Sequence, residues 1–225
     1  MTRDARAAYE TLRQAWLGVV GQAPTLCELQ GVLAIALHET GWGEYKPFGG
    51  SHNYGAVQCC PPGDDGSCPA GSFLASDTNP NKSSRRYAVC FKSYPTELDG
   101  ARDLVRQLTA PRRPETAAAL TTGDAAQIAD AMYRERYYQG FDDGKSSMET
   151  RIAQRKRGYA RAIDRNAADV AKRLGQPQCV SLKGSDPSGG GTSLAPWLFG
   201  AAAAAVATYV WLDRRRASME TAYEL

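Results

Sequence analysis

The sequence lacks the signatures of several common classes of enzyme. It holds two histidines, and because position 42 is a tryptophan, His38-Glu39 does not begin the zinc-protease pattern H-E-x-x-H. Neither the phosphate-binding pattern Gly-x-x-x-x-Gly-Lys nor the nucleophile turn G-x-S-x-G occurs. The 27 basic and 24 acidic residues nearly balance, whereas nucleic-acid binding favours a strong basic excess. We therefore expect no metal ion, no cofactor and no nucleic-acid partner.

The composition indicates a folded domain. The 225 residues are 43% hydrophobic and 23% charged, which is too apolar and too mixed in charge for a largely disordered chain. This length fits one domain with appendages, or two small domains. The segment Met1–Arg6 leads into an amphipathic pattern, so we expect no cleavable signal peptide.

One long uncharged run lies near the C-terminus. Residues 194–212 form a stretch of 19 residues, within the roughly 17–25 that cross a bilayer as a helix. Trp197 and Trp211 lie near its two ends, as interfacial aromatics do, and three arginines follow at 214–216. This pattern predicts a transmembrane helix with a cytosolic tail, and an alanine-rich soluble helix is the alternative.

The expected domain organisation has four parts. The stretch before the apolar run contains two prolines and a run of three glycines, which favours a flexible tether. We predict a globular domain at 1–175, a linker at 176–193, a transmembrane helix at 194–212 and a cytosolic tail at 213–225.

Apolar periodicity predicts a mainly helical domain. Thr25 and Glu28 form a capping box before a helix that is apolar on nearly every side, and Gly41 would end it. Ser146 and Glu149 form a second predicted capping box, before the longest helix. Further helices are predicted near 3–20, after Pro95-Thr96, near 115–120 and at 124–136, with one strand at 86–94 and a long irregular stretch at 43–84.

The most informative segment begins where the apolar helix ends. Glu39 lies at its C-terminus, where the helix dipole disfavours negative charge, and the indole of Trp42 follows closely. Poor solvation and the dipole both raise the pKa of a carboxyl group. A carboxylic acid that stays protonated near neutral pH can protonate the leaving oxygen of a glycosidic bond. We therefore predict that Glu39 is a general acid.

The same segment resembles a known family. The string Glu39-Thr40-Gly41-Trp42-Gly43, followed by Asn53-Tyr54-Gly55-Ala56-Val57-Gln58, is similar to the lysozyme-like superfamily, and most of all to bacterial peptidoglycan N-acetylglucosaminidases and lytic transglycosylases. The resemblance implies a mainly α fold of the α+β lysozyme-like type, with a helical domain and a small β-hairpin region. It also implies cleavage of glycosidic bonds between N-acetylated sugars, with peptidoglycan glycan strands as the partner.

The resemblance further implies which residues line the sugar cleft. They are Trp42, Asn53, Tyr54, Gln58 and one of the pair Tyr137 and Tyr138. A second carboxylate is open among Asp64, Asp65, Asp77, Glu97 and Asp99. Participation of the substrate's N-acetyl group, or a single acid/base that forms an anhydro sugar, would dispense with a second carboxylate.

Six cysteines indicate disulfides and an oxidising compartment. We expect bridges among Cys59, Cys60, Cys68 and Cys90, and a zinc site formed by three of these with His52 is the alternative. Six basic residues crowd the last helix, which is typical of a solvated face, although they could attract an anionic cell wall.

These features predict a membrane-anchored peptidoglycan hydrolase of bacterial or bacteriophage origin, with its domain facing the periplasm or cell wall. Because no signal peptide is expected, a virion-associated enzyme, a phage lysis protein or a dedicated secretion route would explain how the domain reaches its substrate. The alternatives are a non-catalytic, glycan-binding virion or envelope protein with a lysozyme-like domain, and a membrane assembly protein.

Overall fold

The computed structural model describes residues 4–45, 48–78, 86–109, 111–138 and 147–182. Within them it shows six helices and one three-stranded antiparallel sheet, which confirms the mainly helical expectation. The elements are α1 (Ala5–Val20), α2 (Leu26–Thr40), β1 (Gln58–Cys60), β2 (Ser72–Thr78), β3 (Arg86–Lys92), α3 (Glu97–Leu108), α4 (Pro114–Thr122), α5 (Ala125–Arg134) and α6 (Met148–Leu174).

The helix α2 runs through the core, as its apolar sequence predicts. Nine of its residues are buried, and it packs against α1, α4 and α6. The predicted capping box is confirmed, because Thr25 accepts from the Glu28 amide and the Glu28 carboxylate accepts from the Thr25 amide. At Gly31 an added Cβ would lie 2.6 Å from Leu120 Cδ2, so glycine allows α4 to approach this closely.

The longest helix begins one residue later than the predicted capping box requires. Ser147, not Ser146, is the N-cap, and its hydroxyl accepts from the Thr150 amide. The helix ends at Gly175, as predicted, with the backbone in the left-handed region that glycine tolerates.

The sheet occupies much of the stretch that the sequence indicated as irregular. Its strand order is β1-β3-β2. Apolar alternation predicted β3 alone, whereas the resemblance implied a small β-hairpin region, which the observed small antiparallel sheet confirms in part. One face packs the rings of Phe48, Phe73 and Phe91 together, with centroids 5.0–5.9 Å apart. The disulfide Cys68–Cys90 ties the loop before β2 to β3.

The cysteine expectation is correct in part. Cys68 and Cys90 are bridged, whereas Cys59 and Cys60 are free thiols whose sulfurs lie 2.9 Å apart. The bridge consumes two thiolates of the alternative zinc site, which therefore does not form with these residues. No group of three metal-ligating side chains occurs among the described residues.

The domain continues past the predicted boundary at residue 175. Cys179 forms a disulfide with Cys27, and Val180 is fully buried. Gln30 of α2 donates from Nε2 to the Pro177 carbonyl oxygen at 2.8 Å and accepts from the Cys179 amide at 2.7 Å. The start of the predicted linker, 176–182, is thus part of the domain.

The described residues include no helix long and apolar enough to span a bilayer. The rest of the predicted linker, the predicted transmembrane helix at 194–212 and the predicted tail at 213–225 lie outside the described residues, and their structure stays a prediction.

Candidate active site

Glu39 lies half-buried in the last turn of α2, where the chain leaves the helix through Gly41 in the left-handed region. The neighbouring Thr40 connects this turn to the following loop. Its hydroxyl donates to the Tyr54 carbonyl oxygen at 3.0 Å and accepts from the Gly43 amide at 2.9 Å. These bonds tie the end of α2, next to the glutamate, to the loop that follows it.

Tyr159 of α6 donates a hydrogen bond from its hydroxyl to Oε1 of Glu39. The ring is buried, and the ring of Tyr138 stacks on it with centroids 4.2 Å apart. Burial, followed by the negative charge of Glu39, raises the pKa of Tyr159 well above its ordinary value. The tyrosine therefore stays protonated and remains a donor to the carboxyl group over the physiological pH range.

Tyr137 is a second tyrosine on which the charge of Glu39 acts. Its hydroxyl donates to the Gly55 carbonyl oxygen at 3.2 Å, and an added Cβ at Gly55 would lie at the same 3.2 Å from that hydroxyl. Burial and the charge of Glu39 also raise the pKa of Tyr137 well above its ordinary value. Tyr137 and Tyr159 thus both stay protonated, and the negative charge of Glu39 acts on both.

The two tyrosines predicted as alternatives for the cleft direct their hydroxyl groups to different parts of the protein, and that of Tyr137 contacts the loop after α2. The Tyr138 hydroxyl donates to the Ala129 carbonyl oxygen on α5, at 2.7 Å. Tyr138 therefore supports the ring of Tyr159 and directs its own polar atom away from the glutamate.

Asn53 organises the loop after α2. It is fully buried, its Nδ2 donates to the carbonyl oxygens of Val57 and Lys92, and its Oδ1 accepts from the amides of Gly55 and Val57. The side chain uses both amide hydrogens within the protein. Asn53 therefore holds the backbone of the loop after α2, whereas the sequence-based expectation placed it in contact with substrate.

Two of the predicted sugar-binding aromatics lie inside the core. Trp42 is 2% exposed, its Nε1 donates to the Leu33 carbonyl oxygen at 3.0 Å, and Arg173 lies over its ring. Tyr54 is fully buried. Neither ring has a face open to a sugar, so stacking by these two side chains is excluded. Gln58, at the start of β1, is exposed.

Tyr45 is an aromatic residue that the sequence did not single out. It is 53% exposed and is the one exposed aromatic among the described side chains. Its amide donates to the Thr40 carbonyl oxygen at 2.8 Å, and its ring covers Gly41, where an added Cβ would lie 2.5 Å from ring carbons. The only signal in the sequence is an aromatic residue five positions after the end of α2 and two positions after Gly43.

The loop after α2 carries strained backbone. Trp42, His52 and Ala56 are non-glycine residues at φ values of 58°, 54° and 47°. Such conformations are uncommon for side chains larger than glycine and cluster at functional sites. Gly100 of α3 permits the close approach that holds this loop, since an added Cβ there would lie 1.7 Å from the His52 carbonyl oxygen.

The structure singles out no second carboxylate among the candidates whose side chains it describes, and the side chain of Asp77 lies outside that description. Asp65 accepts from its neighbour Ser67 in an exposed turn, which together with that backbone amide lowers its pKa. The carboxylate that does influence Tyr137 electrostatically, besides Glu39, is Asp103 of α3. Asp103 accepts from Tyr94 Oη at 2.5 Å and from Lys92 Nζ at 3.1 Å, which commits it to a local polar cluster.

No family model matches the chain, and no curated protein matches it. Similar solved structures include a peptidoglycan hydrolase from Sphingomonas sp. A1, at 18% identity over 74% of this chain and 88% of that chain, with a TM-score of 0.46. Another is the C-terminally truncated glycoside hydrolase domain of Salmonella typhimurium FlgJ, at 19% identity over 75% of this chain and 99% of that chain, with a TM-score of 0.40.

Proposed function

We propose that this protein is a glycosidase that cleaves peptidoglycan glycan strands between N-acetylated sugars, with Glu39 as the general acid. The observation that carries the proposal is the environment of that side chain. A half-buried carboxyl group lies at the end of a buried helix and accepts a hydrogen bond from a buried tyrosine. A loop with strained backbone follows the helix. The E-T-G-W-G and N-Y-G-A-V-Q strings, which resemble peptidoglycan-cleaving enzymes, are the same residues that build this environment.

In the proposed mechanism the Glu39 carboxyl group gives its proton to the glycosidic oxygen as the bond breaks. Because Tyr159 donates to Oε1, it stabilises the carboxylate that remains after the proton has left. The same bond restrains the side chain of the glutamate at the end of α2. Tyr137 offers a second protonated hydroxyl close to the glutamate.

The sugar contacts that we propose differ from those that the sequence predicted. Tyr45 provides the exposed ring on which a pyranose can stack, and Gln58 provides an exposed amide at the start of β1. Trp42, Asn53 and Tyr54 instead maintain the shape of the loop that holds the substrate. An exposed ring beside a proton donor is the arrangement that a glycan-cleaving site needs.

Identification of the products tests the reaction type. Purified sacculi are digested with the full chain, and the fragments are analysed by mass spectrometry. A new reducing end would show hydrolysis, and a 1,6-anhydro end would show a lytic transglycosylase reaction with Glu39 acting as acid and then as base. Sacculus binding without any fragment would contradict the proposal and favour the non-catalytic glycan-binding alternative.

We also propose that residues 194–212 anchor the protein in a membrane with the domain on the side of the cell wall. The proposal is supported by the length of the uncharged run and by the arginines after it. Protease added to intact spheroplasts should digest the domain. Complete protection of the domain would place it in the cytosol and contradict this orientation.

A further inference from the structure

Three arginines on α6 form a line of positive charge facing solvent. Arg157, Arg161 and Arg165 follow one another at intervals of four residues, so their side chains share one face of the helix. All three are exposed. This set, the arginine stripe, extends for about 12 Å along the helix axis.

No acidic side chain of the described residues pairs with the arginine stripe. Other cations of α6, such as Lys156 and Arg173, do have carboxylate partners. Asp164 lies within the same stretch of helix, but its Oδ1 accepts from Gln178 Nε2 and from the Leu182 amide, each at 3.3 Å. Within the part of the chain that the structure describes, the positive charge of the stripe is therefore not neutralised by an ion pair.

Gly158 lies next to the arginine stripe, and no packing contact requires glycine at this position. Gly158 is exposed in the interior of α6, and an added Cβ would meet no atom within 4 Å. Alanine at such a position stabilises a helix by about 0.5–1 kcal/mol relative to glycine. Arg161 and Arg165 lie three and seven positions further on, so the bare backbone and the guanidinium groups share one side of the helix. The glycine leaves room for a ligand to approach the helix between them.

The arginine stripe leads to the proposed active site. Asn166, next to Arg165, donates from Nδ2 to the Ala34 carbonyl oxygen of α2 at 3.1 Å. His38 lies one turn further along α2, and its ring contacts that of Tyr159 edge-on at 4.8 Å. The positive charge of Arg165 acts at His38. The Arg165 end of the stripe is thus close enough for its charge to act on the residue that precedes the proposed acid.

We propose that the arginine stripe and Gly158 form a binding site for the anionic substituents of the glycan strand whose bond is cleaved. Their shared chemistry is a carboxylate or phosphate group, on a peptide stem or on an attached wall polymer. Guanidinium groups bind both through paired hydrogen bonds. This inference rests on the proposed function for its ligand, although the binding it describes does not require catalysis.

The test measures binding in a catalytically silent background. Full-length chains carrying Glu39→Gln, in non-ionic detergent, are pelleted with sacculi at several salt concentrations. One variant adds Arg157→Gln, Arg161→Gln and Arg165→Gln. The matched control adds Arg6→Gln, Arg106→Gln and Arg112→Gln, which remove the same charge from exposed positions elsewhere.

The stripe variant should bind sacculi about five- to tenfold more weakly than its parent, with a smaller dependence on salt, while the control variant loses about twofold or less. Gly158→Gln should also weaken binding while it raises the Tm, a combination that a purely structural glycine would not give. Removing peptide stems with an amidase, or phosphate polymers with hydrofluoric acid, identifies the anion by abolishing the difference between variants.

Equal losses in the two triple variants would overturn the proposal, because net charge alone would then explain binding. The proposal would also be overturned if the difference in sacculus binding between the stripe variant and its parent stayed the same after both treatments. The same holds if the stripe substitutions weakened binding only to anionic vesicles or duplex DNA. A chain that binds through the stripe but releases no sugar fragments would refute the glycosidase proposal and leave the binding site standing.

Discussion

The hydroxyl of Tyr159, near the middle of α6, donates a hydrogen bond to the carboxyl group of Glu39 at the end of α2. The two residues are 120 positions apart in the sequence, and the packing of α6 on α2 brings them together. The interaction restrains the glutamate side chain. It also supplies a hydrogen-bond donor that stays protonated, because the pKa of Tyr159 is raised.

Removal of that hydroxyl should slow the reaction more than it weakens binding. Tyr159→Phe keeps the ring stacked on Tyr138 but deletes a bond to a charged group, worth about 1.5–3 kcal/mol. We expect kcat to fall roughly 10–100-fold with KM nearly unchanged. The control is Tyr138→Phe, which removes a hydroxyl bonded to Ala129 instead. Steady-state kinetics in which both variants lose kcat equally would contradict a specific role for Tyr159.

Tyr45 should act through binding of the sugar. Tyr45→Ala removes an exposed ring beside the turn that bears the proposed acid, and we expect KM to rise about 5–30-fold with kcat largely kept. Tyr45→Phe should retain the stacking surface and most of the affinity. Leu74→Ala, which truncates an exposed side chain on β2, is the control for a non-specific surface effect. A KM in Tyr45→Ala equal to that of the control would remove Tyr45 from the substrate site.

The disulfide Cys27–Cys179 should stabilise the domain more than Cys68–Cys90 does. It closes a separation of 152 residues rather than 22, so the chain-entropy estimate differs by about 1.5–2 kcal/mol in its favour. Replacing both Cys27 and Cys179 by serine should lower the Tm by roughly 5–15 °C. Thermal unfolding of the two double-serine variants measures this, and a larger loss without Cys68–Cys90 would be the opposite of the expected order.

Protonation of His38 should destabilise the domain. His38 keeps contact with solvent, yet desolvation of its imidazole by the surrounding protein, followed by the positive charge of Arg165, lowers the pKa of His38. The unfolded chain, with a pKa of about 6.5, then binds more protons than the folded one. The free energy of unfolding should therefore be constant above about pH 6.5 and decline as the pH falls below it.

Urea unfolding from pH 5 to 8 measures that decline. His38→Gln should flatten it, whereas His52→Asn, at a position with positive φ that asparagine tolerates, should leave it in place. An unchanged decline in the His38 variant would assign the effect to other groups.

The ends of the helices could be predicted from the sequence because local chemistry determines them. The Thr25–Glu28 capping box and the glycine stops at positions 41 and 175 each satisfy backbone groups within one turn. Apolar alternation did not predict β1 and β2, because β1 has only three residues and both strands depend on pairing with β3. The resemblance implied a small β-hairpin region but not its bounds.

At the candidate site, too, local sequence determines some features and the packing of distant elements determines others. The position of Glu39 follows from the apolar helix that precedes it, whereas its partner Tyr159 depends on how α6 packs. The resemblance implied that Trp42 lines the sugar cleft, yet the carbonyl oxygen of Leu33 accepts from its indole and the ring lies in the core. A flanking glycine signals a turn but does not show which way the next side chain points.

The most direct test of the central claim compares Glu39→Gln with Glu10→Gln on purified sacculi. Both exchange a carboxyl group for an amide, and Glu10 lies on the surface of α1, paired with Arg13. We predict that Glu39→Gln folds with a Tm close to that of the unaltered protein and releases no sugar fragments, while Glu10→Gln releases them at the unaltered rate. Release of fragments by folded Glu39→Gln at that same rate would contradict the role of Glu39 as the acid.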